Sequence, residues 1–185
     1  TIAGSFERKG ESNDLHTIWY NTQEALGNAK TVITKTTDFF KKKGAPCTYG
    51  EMVSWARGAF AETADATFGD EAFLSYIACS KAIEKNPFEE YGLRDFSEIH
   101  PRGMRDEAYI VLKRGGKPLH FRTVAQEVTR YRKQYAFKKD VANPQTIHNE
   151  LIKDNRFVLV GRGMYALKEW GYAPGVVRDV IVRVL

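Results

Sequence analysis

Hydrophobic residues in the second half of the chain recur at helical spacing in three successive segments. A stripe over residues 104–114 predicts a helix ending at Gly115-Gly116, because glycine tolerates the left-handed conformation of a helix C-terminus. A similar stripe over residues 121–131 predicts a second helix. Asparagine as a cap and proline at the first helical position, in Asn143-Pro144, predict a third helix that runs to about Asp154.

Two short β-prone runs follow the third helix, at residues 157–160 and 164–167. They are separated by Gly161-Arg162-Gly163, which predicts a β-hairpin with a turn that glycine permits. Three helices followed by a hairpin is the order of a winged helix, in which the second and third helices form a helix-turn-helix. We therefore predict a mainly α fold with short β-hairpins, of the α+β class.

The chain repeats itself, with glycine, proline and an aromatic residue recurring 72 positions later. The segment Lys43-Gly44-Ala45-Pro46-Cys47-Thr48-Tyr49 returns as Gly115-Gly116-Lys117-Pro118-Leu119-His120-Phe121, and Tyr91-Gly92-Leu93-Arg94-Asp95-Phe96 returns 74 positions later as Tyr165-Ala166-Leu167-Lys168-Glu169-Trp170. The spacing falls to 69 where Asn86-Pro87-Phe88 is aligned with Asn155-Arg156-Phe157. A period this long is that of a whole domain, so we predict tandem winged helix-turn-helix domains.

The repeat predicts the organisation of the first half by analogy. Its helices are expected over residues 31–43, 49–61 and 70–85, and only Glu89-Glu90 stands where the second copy has its basic hairpin. We therefore expect a damaged, acidic wing that repels phosphate. The predicted boundaries are a flexible lead over 1–14, a first module with an extra N-terminal helix over 15–100, a second module over 101–173, and the start of a third repeat or a terminal helix over 174–185. We expect the chain to be part of a longer array.

Charge is distributed unevenly between the two halves. Residues 1–100 hold 11 basic and 15 acidic residues, a net of −4, whereas residues 101–185 hold 17 and 8, a net of +9, which together give the net +5 of the chain. A basic module beside a mildly acidic one is typical of attraction to a phosphate backbone. An ordinary solvated surface is the alternative explanation.

Candidate contacts to nucleic acid fall into two groups. If Ile147, Leu151 and Phe157 face the core, the outer face of the third helix presents polar side chains whose amides match adenine edges, and the turn of the hairpin presents an arginine between two glycines. These residues are Gln145, His148, Asn149, Lys153 and Arg162. The second group supplies positive charge along and after the second helix: Arg130, Arg132, Lys133, Lys138 and Lys139. We expect the interleaved Tyr131 and Tyr135 to belong to the core rather than to stack on bases.

The second module resembles the HARE-HTH winged-helix family. The resemblance rests on Gly116-Lys117-Pro118-Leu119-His120-Phe121-Arg122-Thr123-Val124-Ala125, on Pro144-Gln145-Thr146-Ile147-His148-Asn149-Glu150-Leu151, and on Phe157-Val158-Leu159-Val160-Gly161-Arg162-Gly163-Met164-Tyr165-Ala166-Leu167. That family occurs in the delta subunit of bacterial RNA polymerase, in Asx-like chromatin proteins and fused to restriction enzymes. The tandem arrangement is similar to extensions of bacterial sigma-factor-like proteins. The resemblance implies a non-enzymatic adaptor associated with nucleic acid.

The residues themselves show no catalytic or metal-binding motif. The four histidines lack cysteine or carboxylate partners at metal-ligand spacing, and no phosphate loop or nucleophile elbow is present. His120 is expected to cap its helix or to form a local hydrogen bond. No apolar run approaches a transmembrane length, and Cys47 and Cys79 stand at non-equivalent positions, which favours free thiols in a reducing compartment. We expect no catalytic residue, cofactor, metal or membrane contact, and a cytoplasmic, nucleoid-associated location in a bacterium.

Three hypotheses about function follow. The leading hypothesis is a DNA-binding module of a transcription-associated protein that contacts duplex DNA through helix three and the basic wing of the second module, while the first module faces RNA polymerase or another transcription protein. The second is an adaptor that docks RNA polymerase or another subunit without touching DNA. The third is the DNA-targeting part of a restriction nuclease.

Overall fold

The structure is a computed structural model that describes residues 6–61, 69–135 and 140–173 of the chain. The chain divides into two compact units between His100 and Pro101. Both combine helices with small antiparallel sheets, so the protein belongs to the α+β class. The residues for which a third repeat was predicted, 174–185, lie outside the described residues.

Unit 1, residues 6–100, begins with a β-hairpin of strands β1 (Glu7–Lys9) and β2 (Ile18–Tyr20). There follow α1 (Gln23–Lys43), β3 (Cys47–Thr48), α2 (Tyr49–Ala59), α3 (Asp70–Ala78), β4 (Ile83–Lys85) and β5 (Glu90–Leu93). The last two strands form a hairpin.

Unit 2, from residue 101 onwards, has the same order without the N-terminal hairpin. Its elements are α4 (Met104–Gly115), β6 (Leu119–His120), α5 (Phe121–Tyr135), α6 (Pro144–Lys153), β7 (Phe157–Gly161) and β8 (Met164–Leu167), followed by a single 3₁₀ turn over Lys168–Trp170. The three predicted helices and the predicted hairpin of this half are confirmed.

The two sheets have the same strand order, β3-β5-β4 in unit 1 and β6-β8-β7 in unit 2. Ile83 pairs with Leu93 and Phe157 pairs with Leu167, so the hairpins correspond at an offset of 74. The alignment of Asn86-Pro87-Phe88 with Asn155-Arg156-Phe157 at an offset of 69 is therefore wrong. It matched two aromatic rings, whereas register is fixed by which side chain faces the core.

The first helix of each unit ends in the same way. Gly44 and Gly116 are 72 positions apart, have φ of 68° and 63°, and donate their N–H groups to the carbonyls of Phe40 and Leu112. A left-handed residue at this place turns the chain sharply into the following strand, and glycine adopts that conformation without a steric cost from Cβ. The repeated glycine seen in the sequence is thus a repeated helix cap.

Each unit has its own core, filled from equivalent positions. Phe40, Met52, Phe73 and Ile77 are almost completely buried in unit 1. The matching residues of unit 2 are at most 1 % exposed: Leu112, Val124, Ile147 and Leu151. The offset is 72 up to the start of the second helix and 74 from the third helix on, because the second helix of unit 2 is longer than that of unit 1.

The N-terminal region of unit 1 differs from the predictions. The flexible lead is wrong for Glu7–Lys9, which forms β1, and the extra N-terminal helix expected from residue 15 is wrong over Ile18–Tyr20, which forms β2. β-Branched and aromatic side chains favour a strand there. The first helix of unit 1 begins at Gln23, eight residues before the predicted start, because Thr22 accepts a hydrogen bond from the Ala25 N–H and caps it.

The end of unit 1 also differs. The third helix ends at Ala78 and not at Lys85, because Ser80 bridges to Leu15 and residues 83–85 pair with β5. The first hairpin spans as many residues as the second, but its ladder is shorter, because β4 has three residues and three strand pairs whereas β7 has five residues and four pairs. No helix in the described part of the chain is both long and apolar enough to cross a lipid bilayer.

Candidate nucleic-acid interface

Helix α6 is set in place by a cap at one end and by two buried side chains. Asn143 accepts hydrogen bonds from the backbone N–H groups of Gln145, at 2.8 Å, and Thr146, at 3.3 Å, as its predicted role as N-cap requires. Ile147 and Leu151 are 0 % and 1 % exposed and hold one face of the helix in the core. The opposite face is left to solvent, as the sequence predicted.

The outer face of α6 carries amide, imidazole and ammonium groups. Gln145, Asn149 and Lys153 are exposed and His148 is half-buried. The Gln145 side-chain amide donates to the Asn149 side-chain oxygen at 3.4 Å, so the two amides lie side by side one turn apart. Ile152 is 63 % exposed beside them. This face can donate and accept hydrogen bonds and can make an apolar contact.

An acidic residue on α6 offsets part of its positive charge. Glu150 is half-buried and accepts from Arg105 of α4 at 2.9 Å. The Lys153 ammonium lies 3.8 Å from the same carboxylate. Glu150 is held mainly by Arg105, and its exposed ion pair with Lys153 is weak. Lys153 can therefore leave this pair and bind another anion at little cost in free energy.

The turn of the second hairpin is anchored to the start of α5. Arg162 is exposed at its tip, and Gly163 has φ of 68°. The Phe121 N–H donates to the Gly163 carbonyl at 2.9 Å. A Cβ on Gly163 would lie 2.7 Å from the His120 Nε2, so only glycine fits this turn in its present form.

A series of aromatic ring contacts connects this turn to α6. The Phe121 ring lies between the imidazoles of His120, with centroids 4.4 Å apart, and His148, with centroids 4.6 Å apart. His148 also meets the Tyr165 ring edge to face. The hairpin turn and the outer face of α6 are thus neighbouring parts of one surface, which we call the α6–wing face: Gln145, His148, Asn149, Ile152, Lys153 and Arg162.

His120 has the local role that the sequence suggested. Its Nδ1 accepts a hydrogen bond from the Arg122 backbone N–H at 3.3 Å, so the imidazole caps the start of α5. The Arg122 guanidinium lies 5.8 Å from the centre of the Phe121 ring and is exposed. Arg122 was missed as a candidate, although its place directly after the aromatic residue of the repeat was the available signal.

The predicted basic group on α5 is only partly available. Arg130 is exposed and pairs with Glu127 at 2.9 Å, and Lys133 is exposed. Lys138 and Lys139 lie outside the described residues. The prediction that Arg132 contacts phosphate is wrong: it is 6 % exposed and its Nε and Nη2 donate to Glu107 at 2.8 and 2.6 Å. A cation paired inside the core cannot reach a ligand, and spacing on a helix had not distinguished its buried face from its exposed one.

The preference for a core role is confirmed for Tyr131. It is 7 % exposed, and burial together with the nearby Glu107 carboxylate raises the pKa of its phenol. Tyr135 is half-buried and its ring lies 5.7 Å from that of Tyr131.

A second paired arginine in unit 2 was not recognised from the sequence. Arg156 donates to Asp154 at 2.7 Å and to Asp106 at 2.8 Å, which ties the end of α6 to the first turn of α4. The hydrogen bonds and charge of Arg156 hold the pKa of the Asp154 carboxyl below its usual range. Arg156 therefore stabilises the unit and is not available to the α6–wing face.

The counterpart of the α6–wing face in unit 1 has different chemistry. At an offset of 74, Gln145, His148, Asn149 and Arg162 correspond to Glu71, Leu74, Ser75 and Phe88. Ser75 donates back to the Glu71 carbonyl at 2.9 Å, and the turn is closed by the buried Asn86. This face carries an acidic residue and apolar side chains where unit 2 carries amides and arginine.

The described residues offer little for redox or metal chemistry. No group of three or more potential metal ligands occurs among them. Cys47 and Cys79 are free, and burial raises the pKa of the Cys47 thiol to about 11, which makes it a poor nucleophile at neutral pH. Comparisons of the chain with protein-family models, with curated proteins and with solved structures found no match.

Proposed function

We propose that the protein binds duplex DNA through the α6–wing face of unit 2, as the non-enzymatic DNA-binding part of a transcription-associated protein. In this proposal each unit is a winged helix. The proposal is supported by the order of the elements, which is helix, strand, helix, helix and hairpin. In this order α5 and α6 would form the helix-turn-helix. Helix α6 would enter the major groove and the hairpin would lie along the neighbouring backbone.

The observation that carries the proposal is the juxtaposition on one surface of two kinds of contact. Gln145 and Asn149 present paired amides, which match the donor and acceptor of an adenine edge. Arg162, at the anchored turn, is a cation that pairs with no acidic side chain among the described residues. Phosphate contacts position a protein on DNA and base contacts give it specificity, and the face offers both.

The surrounding charge supports the same proposal. Lys117, Lys133 and Lys168 are exposed, and no ion pair links them to an acidic side chain in the part of the chain that the structure describes. With the net +9 of residues 101–185, they would raise the local concentration of a polyanion around unit 2.

The test is a fluorescence-anisotropy titration of a labelled DNA duplex with the 185-residue chain, at several salt concentrations. Each phosphate neutralised contributes about −0.9 to the slope of log K against log salt. We expect Arg162→Ala to weaken binding about tenfold and to reduce that slope by about 1. Lys42→Ala, which removes an exposed cation of unit 1, is the matched control and should change neither quantity.

Base reading is tested separately. Asn149→Ala with Gln145→Ala should reduce the discrimination between related duplexes and leave the salt slope unchanged, because these amides carry no charge. Binding that is flat between low and physiological salt, or an Arg162→Ala variant with unchanged affinity, would contradict the DNA-binding proposal.

A second candidate function is suggested by unit 1. The face that corresponds to the α6–wing face carries Glu71, Leu74 and Phe88, a combination better suited to a protein partner than to phosphate. We propose that unit 1 docks RNA polymerase or another transcription protein. With purified bacterial RNA polymerase, Glu71→Lys should weaken association in a binding assay, whereas Glu24→Lys, at the exposed start of α1, should not. Equal affinities for the two variants would exclude this face as the docking surface.

A further inference from the structure

A cavity of about 540 Å³ lies within unit 1, between the N-terminal hairpin and α1. Its apolar lining includes Leu15 and Ile33, which also belong to a small buried cluster under the hairpin. The volume falls in the range of about 300–1,000 Å³ that is typical of sites for small molecules. Nothing in the α6–wing face contributes to this cavity.

Hydroxyl groups and lysines line the cavity from two directions. Along α1, Lys30, Thr34, Thr37 and Lys41 recur at intervals of four, three and four residues, which places them on one face of the helix. From the hairpin comes Lys9, which pairs across the strands with the buried Ile18 and so shares its inward side. An inward position of an amphipathic hairpin is normally apolar, and this one holds a lysine.

Two of these lysines, Lys9 and Lys30, belong to the lining of one cavity. Lys41 is balanced by Asp38 at 3.8 Å. The ammonium of Lys30 lowers the pKa of Lys9, and in the described residues neither forms an ion pair with a carboxylate. Two like charges brought together raise the free energy of the empty groove, and a bound anion between them would lower it. Asp14, the other acidic residue of the lining, is exposed, as is Lys30, whereas Lys9 is half-buried.

We propose that this groove is a binding site for a small organic phosphate. The phosphate would lie between Lys9 and Lys30 and accept hydrogen bonds from the hydroxyls of the α1 face. The non-phosphate part of the ligand would cover Leu15 and Ile33. Ammonium and hydroxyl donors around an apolar lining give a site that is selective for a phosphate ester over a neutral molecule.

The test is thermal unfolding of the 185-residue chain with inorganic phosphate, pyrophosphate or adenosine monophosphate, at constant ionic strength maintained with chloride. At a ligand concentration about five times the dissociation constant, binding should raise the melting temperature of unit 1 by about 4–8 °C. Adenosine monophosphate should bind more tightly than inorganic phosphate because it also covers the apolar lining.

The Lys30→Gln variant distinguishes a loss of ligand binding from a loss of stability. Without ligand it should be at least as stable as the wild-type chain, because the repulsion of Lys9 is removed, and it should lose the ligand-induced shift. Lys42→Gln, an exposed lysine of the same helix that does not line the groove, should keep the full shift. In an NMR titration, bound phosphate should raise the pKa of Lys9.

Three results would overturn the proposal: no shift with any of the three probes at about 10 mM, which is well above typical ligand affinities; equal shifts in the wild-type, Lys30→Gln and Lys42→Gln chains; or equal affinity for inorganic phosphate and adenosine monophosphate. None of these outcomes depends on whether unit 2 binds DNA.

Discussion

In unit 1 the hairpin turn reads Asn86-Pro87-Phe88-Glu89, and in unit 2 the same four places hold Val160-Gly161-Arg162-Gly163. Glu89 and Gly163 both have positive φ, 61° and 68°, so the last place of each turn has the same left-handed conformation with an unlike residue. Buried Asn86 holds the first turn through hydrogen bonds to the Phe88 and Glu90 N–H groups, whereas the second is held from outside by the start of α5. Two different sets of contacts therefore hold a left-handed residue at the same place, and the tip carries a half-buried Phe88 in unit 1 and an exposed Arg162 in unit 2.

A second pair of equivalent positions joins the first and second helices of each unit. Glu107 and Arg132 of unit 2 form a buried ion pair, and 72 positions earlier stand Lys35 and Phe60, where the ammonium lies 4.7 Å from the ring centre. Equivalent positions of the two units are therefore occupied by different kinds of interaction. Equivalent substitutions in the two units should consequently have unequal effects on stability.

The largest effect is expected from Arg132→Met. The variant removes the guanidinium that donates two hydrogen bonds to the buried Glu107 carboxylate, and breaking a buried ion pair costs about 3–5 kcal/mol of unfolding free energy. Lys35→Met, at the equivalent place of unit 1, should cost only about 1–2 kcal/mol, since a cation–π contact with Phe60 and a long hydrogen bond to the Ala59 carbonyl are lost. Denaturant unfolding measures both. Equal losses would refute the contrast, and Glu107→Leu combined with Arg132→Met should recover most of the stability of unit 2.

Gly163→Ala should have the next largest effect. A non-glycine residue at φ of 68° costs about 1–3 kcal/mol, and its Cβ would press on the His120 imidazole. Thermal unfolding would report the loss. Gly161→Ala, in the same turn but without a positive φ and with contacts no closer than 3.4 Å, is the control and should be tolerated better. A Gly163→Ala variant as stable as that control would show that the turn is not anchored to α5.

Asp154 should give unit 2 an acid-sensitive contact that unit 1 lacks at the equivalent place, since Ser80 and Ala82 stand where unit 2 has Asp154 and Arg156. The folded-state pKa of Asp154 lies below its unfolded value of about 3.9. The stabilisation is therefore complete above that value and is lost as pH falls through the lower folded pKa. Asp154→Asn should destabilise the protein by about 1–2 kcal/mol near neutral pH.

Comparing denaturant unfolding near neutral pH and at about pH 3 checks the sign, because the difference between wild type and Asp154→Asn should shrink in acid. If the stability difference between wild type and Asp154→Asn does not change with pH, the ion pair of Asp154 with Arg156 is not its cause.

The smallest effect is expected from Glu89→Gly. It relieves a left-handed non-glycine residue but gives up the exposed ion pair with Lys85 at 2.8 Å, so the two changes offset each other to within about 0.5–1 kcal/mol. Unfolding free energies of this variant and of Gly163→Ala, measured under the same conditions, define the asymmetry between the turns. A loss of several kcal/mol would mean that the Glu89 side chain, and not Asn86, holds the first turn.

Much of unit 2 could be predicted because its local signals agree with its packing. An asparagine followed by a proline, as in Asn143-Pro144, favours a helix start when a periodic apolar pattern follows. The glycine-flanked turn likewise favours a hairpin. In unit 1 such signals are weaker. Cys79-Ser80-Lys81-Ala82 contains no helix breaker, so the end of α3 is set by tertiary contacts, the bridge from Leu15 to Ser80 and the pairing of β4.

The candidate site was predictable where the helical period decides which side is buried, as for Gln145 and Asn149 opposite Ile147. It was not predictable for Arg132, because its carboxylate partner lies 25 residues away on another helix. A charged residue on a helix can be buried when such a partner accompanies it, and periodicity alone does not reveal the partner. The groove beneath the N-terminal hairpin was missed for the same reason, since it depends on β1 reaching α1.

The strand order of the two sheets has a consequence for the synthesis of the chain. In each sheet the last strand to leave the ribosome, β5 or β8, is the central one, and the two earlier strands bond only to it. The helices of unit 1 therefore have no complete sheet to pack against until residue 93 has left the ribosome. For unit 2 the same holds until residue 167 has left it. Each unit should therefore fold late and in a single step, with its earlier strands unpaired until their shared partner arrives.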